Sequence, residues 1–163
     1  MTGAVPEPST STSPPASKRR LRLWLRLMRA PRAIEAELRE RLRVAFRVTL
    51  PQFDVMAALA RKDDGMTMTE LSRFLIVSNG NVTGIVDRLV AEDLVARAAI
   101  SADRRATVVR LTPHGKSRFA SIAQAHETWV DELLAGFNKK EVEAMIGFLD
   151  GLAPPVRDGE VRP

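Results

Sequence analysis

Residues 66–112, MTMTELSRFLIVSNGNVTGIVDRLVAEDLVARAAISADRRATVVRLT, constrain the fold more than any other part of the chain. Thr67 followed three residues later by Glu70 is the spacing of a capping box, in which each side chain satisfies a backbone N–H orphaned at a helix start. Leu71, Phe74 and Leu75 then fall at i, i+3 and i+4, the apolar stripe of a helix lying on a core. Ser78 is a suitable N-cap for a second helix, with Val82, Ile85, Val86, Leu89 and Val90 as its buried face. Two short amphipathic helices joined by so tight a connection leave few arrangements open.

The first turn of that second helix, Ser78-Asn79-Gly80-Asn81, is small and polar and has no packing task. In most proteins such a run is a cap and a solvated turn. It also suits a helix whose N-terminal end meets base edges and phosphates, because Ser, Asn and Thr are short donors and acceptors and glycine permits close approach. The adjoining stretch of chain favours the second reading. Residues 94–100 and 106–112 are β-compatible runs, and Ser101-Ala102-Asp103-Arg104-Arg105 between them is a turn-forming link of hairpin length. Guanidinium groups at a hairpin tip can enter a narrow minor groove. Phosphate would repel the Asp103 carboxylate, which is therefore assigned to orienting a neighbouring arginine. The pattern is that of a winged helix-turn-helix. Its candidate DNA contacts are Ser78, Asn79, Gly80, Asn81, Thr83, Arg88, Arg104 and Arg105.

These features resemble the MarR family of winged helix-turn-helix transcriptional regulators. The likeness is carried by TELSRFL, SNGNVTGIVDRLV, Asp103-Arg104-Arg105 with VVRLT, the T-P-x-G start at Thr112 to Gly115, and LPQFDVMAALAR at 50–61. It extends from about Leu21 to about Leu152. The resemblance implies a mainly α fold with a small antiparallel β-wing, flanked by N- and C-terminal dimerisation helices. It implies that the helix after the turn lies in the major groove of double-stranded operator DNA, and that Arg105, two residues after Asp103, reaches the minor groove. It further implies a homodimer and a small-molecule effector, an aromatic acid or its coenzyme A thioester, held between the dimerisation helices and the reading domain. Trp24, Met28, Phe46, Phe53, Met56, His126 and Trp129 are the candidates to line that cleft. Ordinary core packing also accounts for apolar residues at such spacing.

Composition narrows the chemistry. A net charge of +5 favours a polyanionic partner. The absence of cysteine excludes the reactive-thiol sensing used by part of the family, along with disulfides. Two histidines twelve residues apart, His114 and His126, offer no metal-ligand spacing, and no nucleophile, base and orienter set indicates an enzyme. No metal or cofactor is expected. Lacking an apolar run of roughly 20 residues or a secretory signal, the chain is expected to be cytoplasmic with no membrane partner.

In chain order, residues 1–17 read as a disordered Pro/Ser/Thr-rich tail. Residues 18–48 and 113–152 read as dimerisation helices, 49–112 as the DNA-binding region, and 153–163 as a mobile tail. Leu21, Trp24, Leu25 and Met28 form one helical stripe, and Ile34, Leu38, Leu42 and Ala45 another, with Pro31 between them. An interior proline costs roughly 3 kcal/mol, which predicts a kink or break near 29–31. The basic face of Arg19, Arg20, Arg22, Arg26, Arg29 and Arg32 is read as solvated, with binding of a phosphorylated ligand or the DNA backbone as one alternative. An amphipathic membrane-surface helix, disfavoured by the acids after Pro31, is another. Phe53, Met56, Ala57 and Ala60 are the expected apolar side of the 50–61 helix, which opens at Thr49-Leu50-Pro51. Thr112-Pro113 starts a long helix reaching about Phe137, and Asn138 with Glu141 starts the last, carrying Val142, Met145, Ile146 and Leu149. The alternative function is a winged-helix protein-interaction module without sequence-specific DNA binding, since fold alone does not fix function.

Overall fold

The computed structural model describes residues 15–100 and 103–152, the side chains of 100 and 103–106 excepted. Of the two expected tails, all but residues 15–17 lie outside the described residues. Two compact units are present, one ending at Glu37 and the other beginning at Leu38.

The first helix, α1 (Ala16–Phe46), starts two residues earlier than its sequence pattern suggests and runs through Pro31 without interruption. The expected break is therefore absent. Proline removes the donor for the Leu27 carbonyl, but residues 16–33 are all exposed, so water can take the bond. Within the first unit Leu21, Leu23, Trp24, Leu25, Leu27 and Met28 stay 38–58% exposed.

The second unit contains the rest of the order: α2 (Leu50–Ala60), β1 (Met66–Thr67), α3 (Met68–Leu75), α4 (Asn79–Ala91), β2 (Val95–Ile100), β3 (Asp103–Leu111), α5 (Pro113–Leu134) and α6 (Lys139–Leu152). Helix α2 is capped by Thr49 with Gln52 returning the bond, and Pro51 occupies its first turn. It packs against α3, α4, α5 and β3. That central position corrects the one-sided stripe expected for it: Val55, Ala58 and Leu59 are buried with Phe53 and Met56, while Ala60 is exposed. The Asp63-Asp64-Gly65 turn follows, with Gly65 at φ 86° and a position where a Cβ would lie 2.5 Å from the Val109 carbonyl oxygen.

The capping box forms as the spacing predicts. Thr67 Oγ1 accepts from the Glu70 N–H at 3.2 Å, and Glu70 Oε2 accepts from the Thr67 N–H at 2.7 Å. Thr67 and Met66 also form a strand that the sequence pattern does not reveal, since two residues carry no periodicity. That strand pairs Met66 with Val109 and Thr67 with Val108, giving an antiparallel sheet of order β1-β3-β2. Phe74 departs from the expected stripe. It is 44% exposed, with the Arg61 guanidinium 5.6 Å from its ring centroid.

Two buried clusters organise this unit. The larger joins Val55, Met56 and Leu59 of α2, Leu71 of α3, Val82, Val86 and Leu89 of α4, and Val95, Val109 and Leu111 of the sheet. The smaller joins Leu42, Val48, Phe53 and Ile122, with Phe46, Phe119 and Trp129 packed against it. Burying each such large side chain contributes about 1.5–3 kcal/mol, so the larger cluster fixes the attitude of α4. In contrast α6 buries none of its residues, although the Asn138–Glu141 cap that starts it forms as expected.

Candidate functional site

Helix α4 owes its placement to one face and its chemistry to the other. Val82, Val86 and Leu89 are fully buried, and Ile85 and Val90 pack against the same cluster. That leaves Asn79, Gly80, Asn81, Thr83, Gly84, Asp87 and Arg88 exposed on the opposite side. Ser78 is the N-cap in extended conformation, its hydroxyl oxygen accepting from the Asn81 N–H at 3.5 Å. The remaining first-turn N–H groups face solvent at the positive end of the helix dipole, a natural receptor for an anion or an acceptor edge. Thr83 donates its hydroxyl to the Asn79 carbonyl at 2.9 Å, so toward a partner it is an acceptor. A Cβ at Gly80 or Gly84 would meet nothing within 4 Å.

Ser78, Asn79, Gly80, Asn81, Thr83 and Arg88 are thus brought to one exposed face. The remaining candidate contacts are placed only by their backbone. Strand β3 begins at Asp103, so Arg104 and Arg105 belong to a strand and not to the five-residue link expected from sequence. The pairing register shifts there: Ala99 opposes Thr107, and Ile100 opposes Asp103. Arg104 and Arg105 fall between those two registers, at the end of the hairpin. The side chains of Asp103, Arg104 and Arg105 lie outside the described residues, as does the proposed orienting role of Asp103.

Sequence reasoning missed the bond that ties α4 to the wing. Asp87 accepts from Arg97 of β2 at 2.6 Å. A carboxylate on the free face of α4, which is uncharged up to that point, was the available signal, because a cation nearby favours its charged form. A second missed anchor lies beneath α3, where Lys62 Nζ stands 2.9 Å from Glu70 Oε1. The Thr67 backbone bond and the Lys62 contact hold the Glu70 carboxyl down at about 2.

The seven residues considered for an effector cleft separate. Phe46, Phe53, His126 and Trp129 belong to one aromatic group: His126 stacks on Phe53 at 4.5 Å and 21°, and Phe46 lies 6.0 Å from Trp129. Phe119, which the cleft reading did not include, joins them 5.8 Å from Phe53. Arg118 caps the group, its guanidinium 5.3 Å from the Phe46 centroid and donating to the Phe46 carbonyl at 2.8 Å. Burial pushes the His126 pKa below its ordinary value, which keeps the imidazole neutral near pH 7. Met56 is fully buried in the larger cluster instead. Trp24 and Met28, in the first unit, are 55% and 45% exposed. Among the described residues no group of three potential metal ligands occurs, and no helix is long and apolar enough to cross a membrane.

Residues 48–106 match the sequence model of the MarR family. Among curated relatives, the transcriptional activatory protein BadR of Rhodopseudomonas palustris is 31% identical over 72% of this chain and 64% of its own length. A MarR family transcriptional regulator from Silicibacter pomeroyi has a crystal structure similar to this one. It is 31% identical, covering 86% of this chain and 96% of that one, with a TM-score of 0.72. The same fold occurs in a mutant of Escherichia coli MarR solved with operator DNA, at 24% identity and a TM-score of 0.72, covering 86% of this chain and all (100%) of that one.

Proposed function

The chain belongs to the MarR family of transcriptional regulators, and from that premise we propose that it is a homodimer placing two copies of α4 in successive major grooves of a pseudo-palindromic operator. The observation that carries this reading is the exposed polar turn from Ser78 to Asn81, on a helix whose other face is buried. Ser78, Asn79, Gly80, Asn81 and Thr83 contact bases or phosphates, Arg88 contacts a phosphate, and Arg104 and Arg105 serve the wing. The operator-bound relative from E. coli supports the duplex as partner. The exposed apolar residues of α6, Met145, Ile146, Phe148 and Leu149, support a second copy of the chain as the surface that covers them.

The regulator is a repressor released by a small ligand, an aromatic acid or its coenzyme A thioester. The aromatic group around Phe53 and neutral His126 supports that class, since it offers ring faces and an uncharged hydrogen-bonding nitrogen. Activation is the second reading, favoured by the likeness to BadR, whose name records activation.

Selection from a random duplex pool tests the first step. An enriched inverted repeat is expected, with Asn81→Ala relaxing the sequence preference and Arg105→Ala weakening binding while folding and dimerisation persist. A pool that stays random removes the DNA-reading role. Repeating the binding with benzoate and its coenzyme A thioester tests the effector. Transcription from a template carrying the enriched site reads the sign of regulation.

A further inference from the structure

The fold explains the conformation and exposure of Ile76 less well than those of any other residue near α4. Ile76 closes α3 at φ 54° and ψ 42°, a left-handed conformation that crowds its Cβ and is an outlier for a β-branched side chain. The turn is otherwise well made: the Ile76 N–H bonds the Arg73 carbonyl at 3.3 Å, and the Val77 N–H bonds the Ser72 carbonyl at 3.1 Å. Glycine would supply the same backbone without strain. Packing offers no compensation, because Ile76 is 91% exposed, and its neighbours Phe74 and Val77 are 44% and 41% exposed. An apolar side chain held in a costly conformation and turned to water opposes stability twice. Such outliers point to a role outside the fold.

Its position indicates which role. Ile76 stands two residues before Ser78, the cap of α4, and is exposed like Asn79, Gly80 and Asn81 in the turn that follows. Those groups can hydrogen-bond base edges, whereas Ile76 cannot. The one apolar feature that base edges present in a major groove is the C5-methyl of thymine. Arg61, whose guanidinium lies over Phe74, and Arg73, whose carbonyl accepts from the Ile76 N–H, are both exposed and favour a phosphate-bearing partner over an apolar protein face.

We infer that Ile76 is a specificity-determining contact that packs on a thymine C5-methyl at the edge of the sequence read by α4. The inference rests on the duplex-binding reading of that helix. Branching at Cβ keeps the side chain stiff, so the methyl is met by a preset surface.

The test uses the full chain and the duplex it enriches from a random pool. Each thymine is replaced singly by deoxyuridine, which removes the methyl and keeps the pairing edges. For the wild type one position per half-site is expected to lose about fourfold in affinity, the equivalent of one buried methylene. In Ile76→Gly and Ile76→Asn that ratio is expected to fall to one, with the ratios at all other thymines unchanged. Ile76→Gly should also melt about 2–4 °C higher, showing that lost discrimination is not lost folding. A wild type indifferent to uracil everywhere overturns the contact, as does a sensitive thymine whose ratio survives in both variants. A uniform loss of affinity with unchanged ratios overturns it too, and assigns the patch to another partner. Failure of the wild type to enrich any sequence defeats the duplex-binding reading itself, and is seen before any variant is made.

Discussion

In the lobe built from α2, α3, α4 and the sheet, each helix turns apolar residues onto one buried cluster, whereas α6 carries Met145, Ile146 and Leu149 at helical spacing and buries none of them. Both segments are amphipathic by pattern. The difference lies in what the rest of the chain supplies: α4 meets α2, α3 and β2, while the apolar side of α6 has Met145 38%, Ile146 48% and Leu149 50% exposed. An apolar stripe therefore reports that a helix will be covered, not by which molecule. The lobe is complete within one copy of the chain. On the dimer reading, α6 becomes so only with a second.

The sharpest way to break this contrast is a truncation inside the lobe. Leu89 is fully buried, so Leu89→Ala should cost about 2–5 kcal/mol in urea unfolding through lost burial and a residual cavity. A cost near zero would mean that the lobe core is not what holds α4.

The capping box gives a smaller, pH-dependent effect. With its carboxyl held at about 2 against an ordinary value of 4.5, Glu70 favours the folded state fully above pH 4.5. That contribution is lost as pH falls from 4.5 through 2, because the unfolded chain takes up the proton first. Glu70 is 44% exposed, and solvent screening reduces the expected contribution to about 1–2 kcal/mol. Stability followed from pH 6 to pH 2 should fall more steeply in the wild type than in Glu70→Gln. Parallel curves would detach the box from the stability of the lobe.

The smallest effect on the lobe is expected from α6. Ile146→Glu should leave amide-exchange protection at Leu89 and Val109 within about 0.5 kcal/mol of wild type, as for exposed sites generally. Sedimentation of the same variant should show monomer where the wild type is a dimer. Loss of protection together with loss of dimer would erase the distinction between the two regions.

Much of the lobe is legible in sequence because its signals are local. Thr67 with Glu70, Ser78 before α4, Thr112 before Pro113 and Asn138 with Glu141 each mark a helix start within four residues, and all four caps form. The exposed face of α4 is equally legible, since Val82, Val86 and Leu89 fix which side is buried and thereby which is free. Features made by distant partners are not. Strand β1 exists only because β3 runs beside it, Asp87 finds Arg97 on the neighbouring strand β2, and α2 is buried around most of its circumference because four elements converge on it. Pro31 shows the reverse failure. The break it predicts does not form, because the freed carbonyl sits on an exposed helix.

Sequence by itself determined the order of the helices and of the two hairpin strands, the helix caps, the buried side of α4 and the polar character of its free end, because those follow from hydrogen bonds and apolar spacing within a few residues. Tertiary structure alone decided which aromatic residues meet around Phe53, that Met56 belongs to a different cluster, and that Ile76 is held left-handed in open solvent. Those outcomes depend on how separate helices pack, and packing is a property of pairs of surfaces that no single stretch of chain contains.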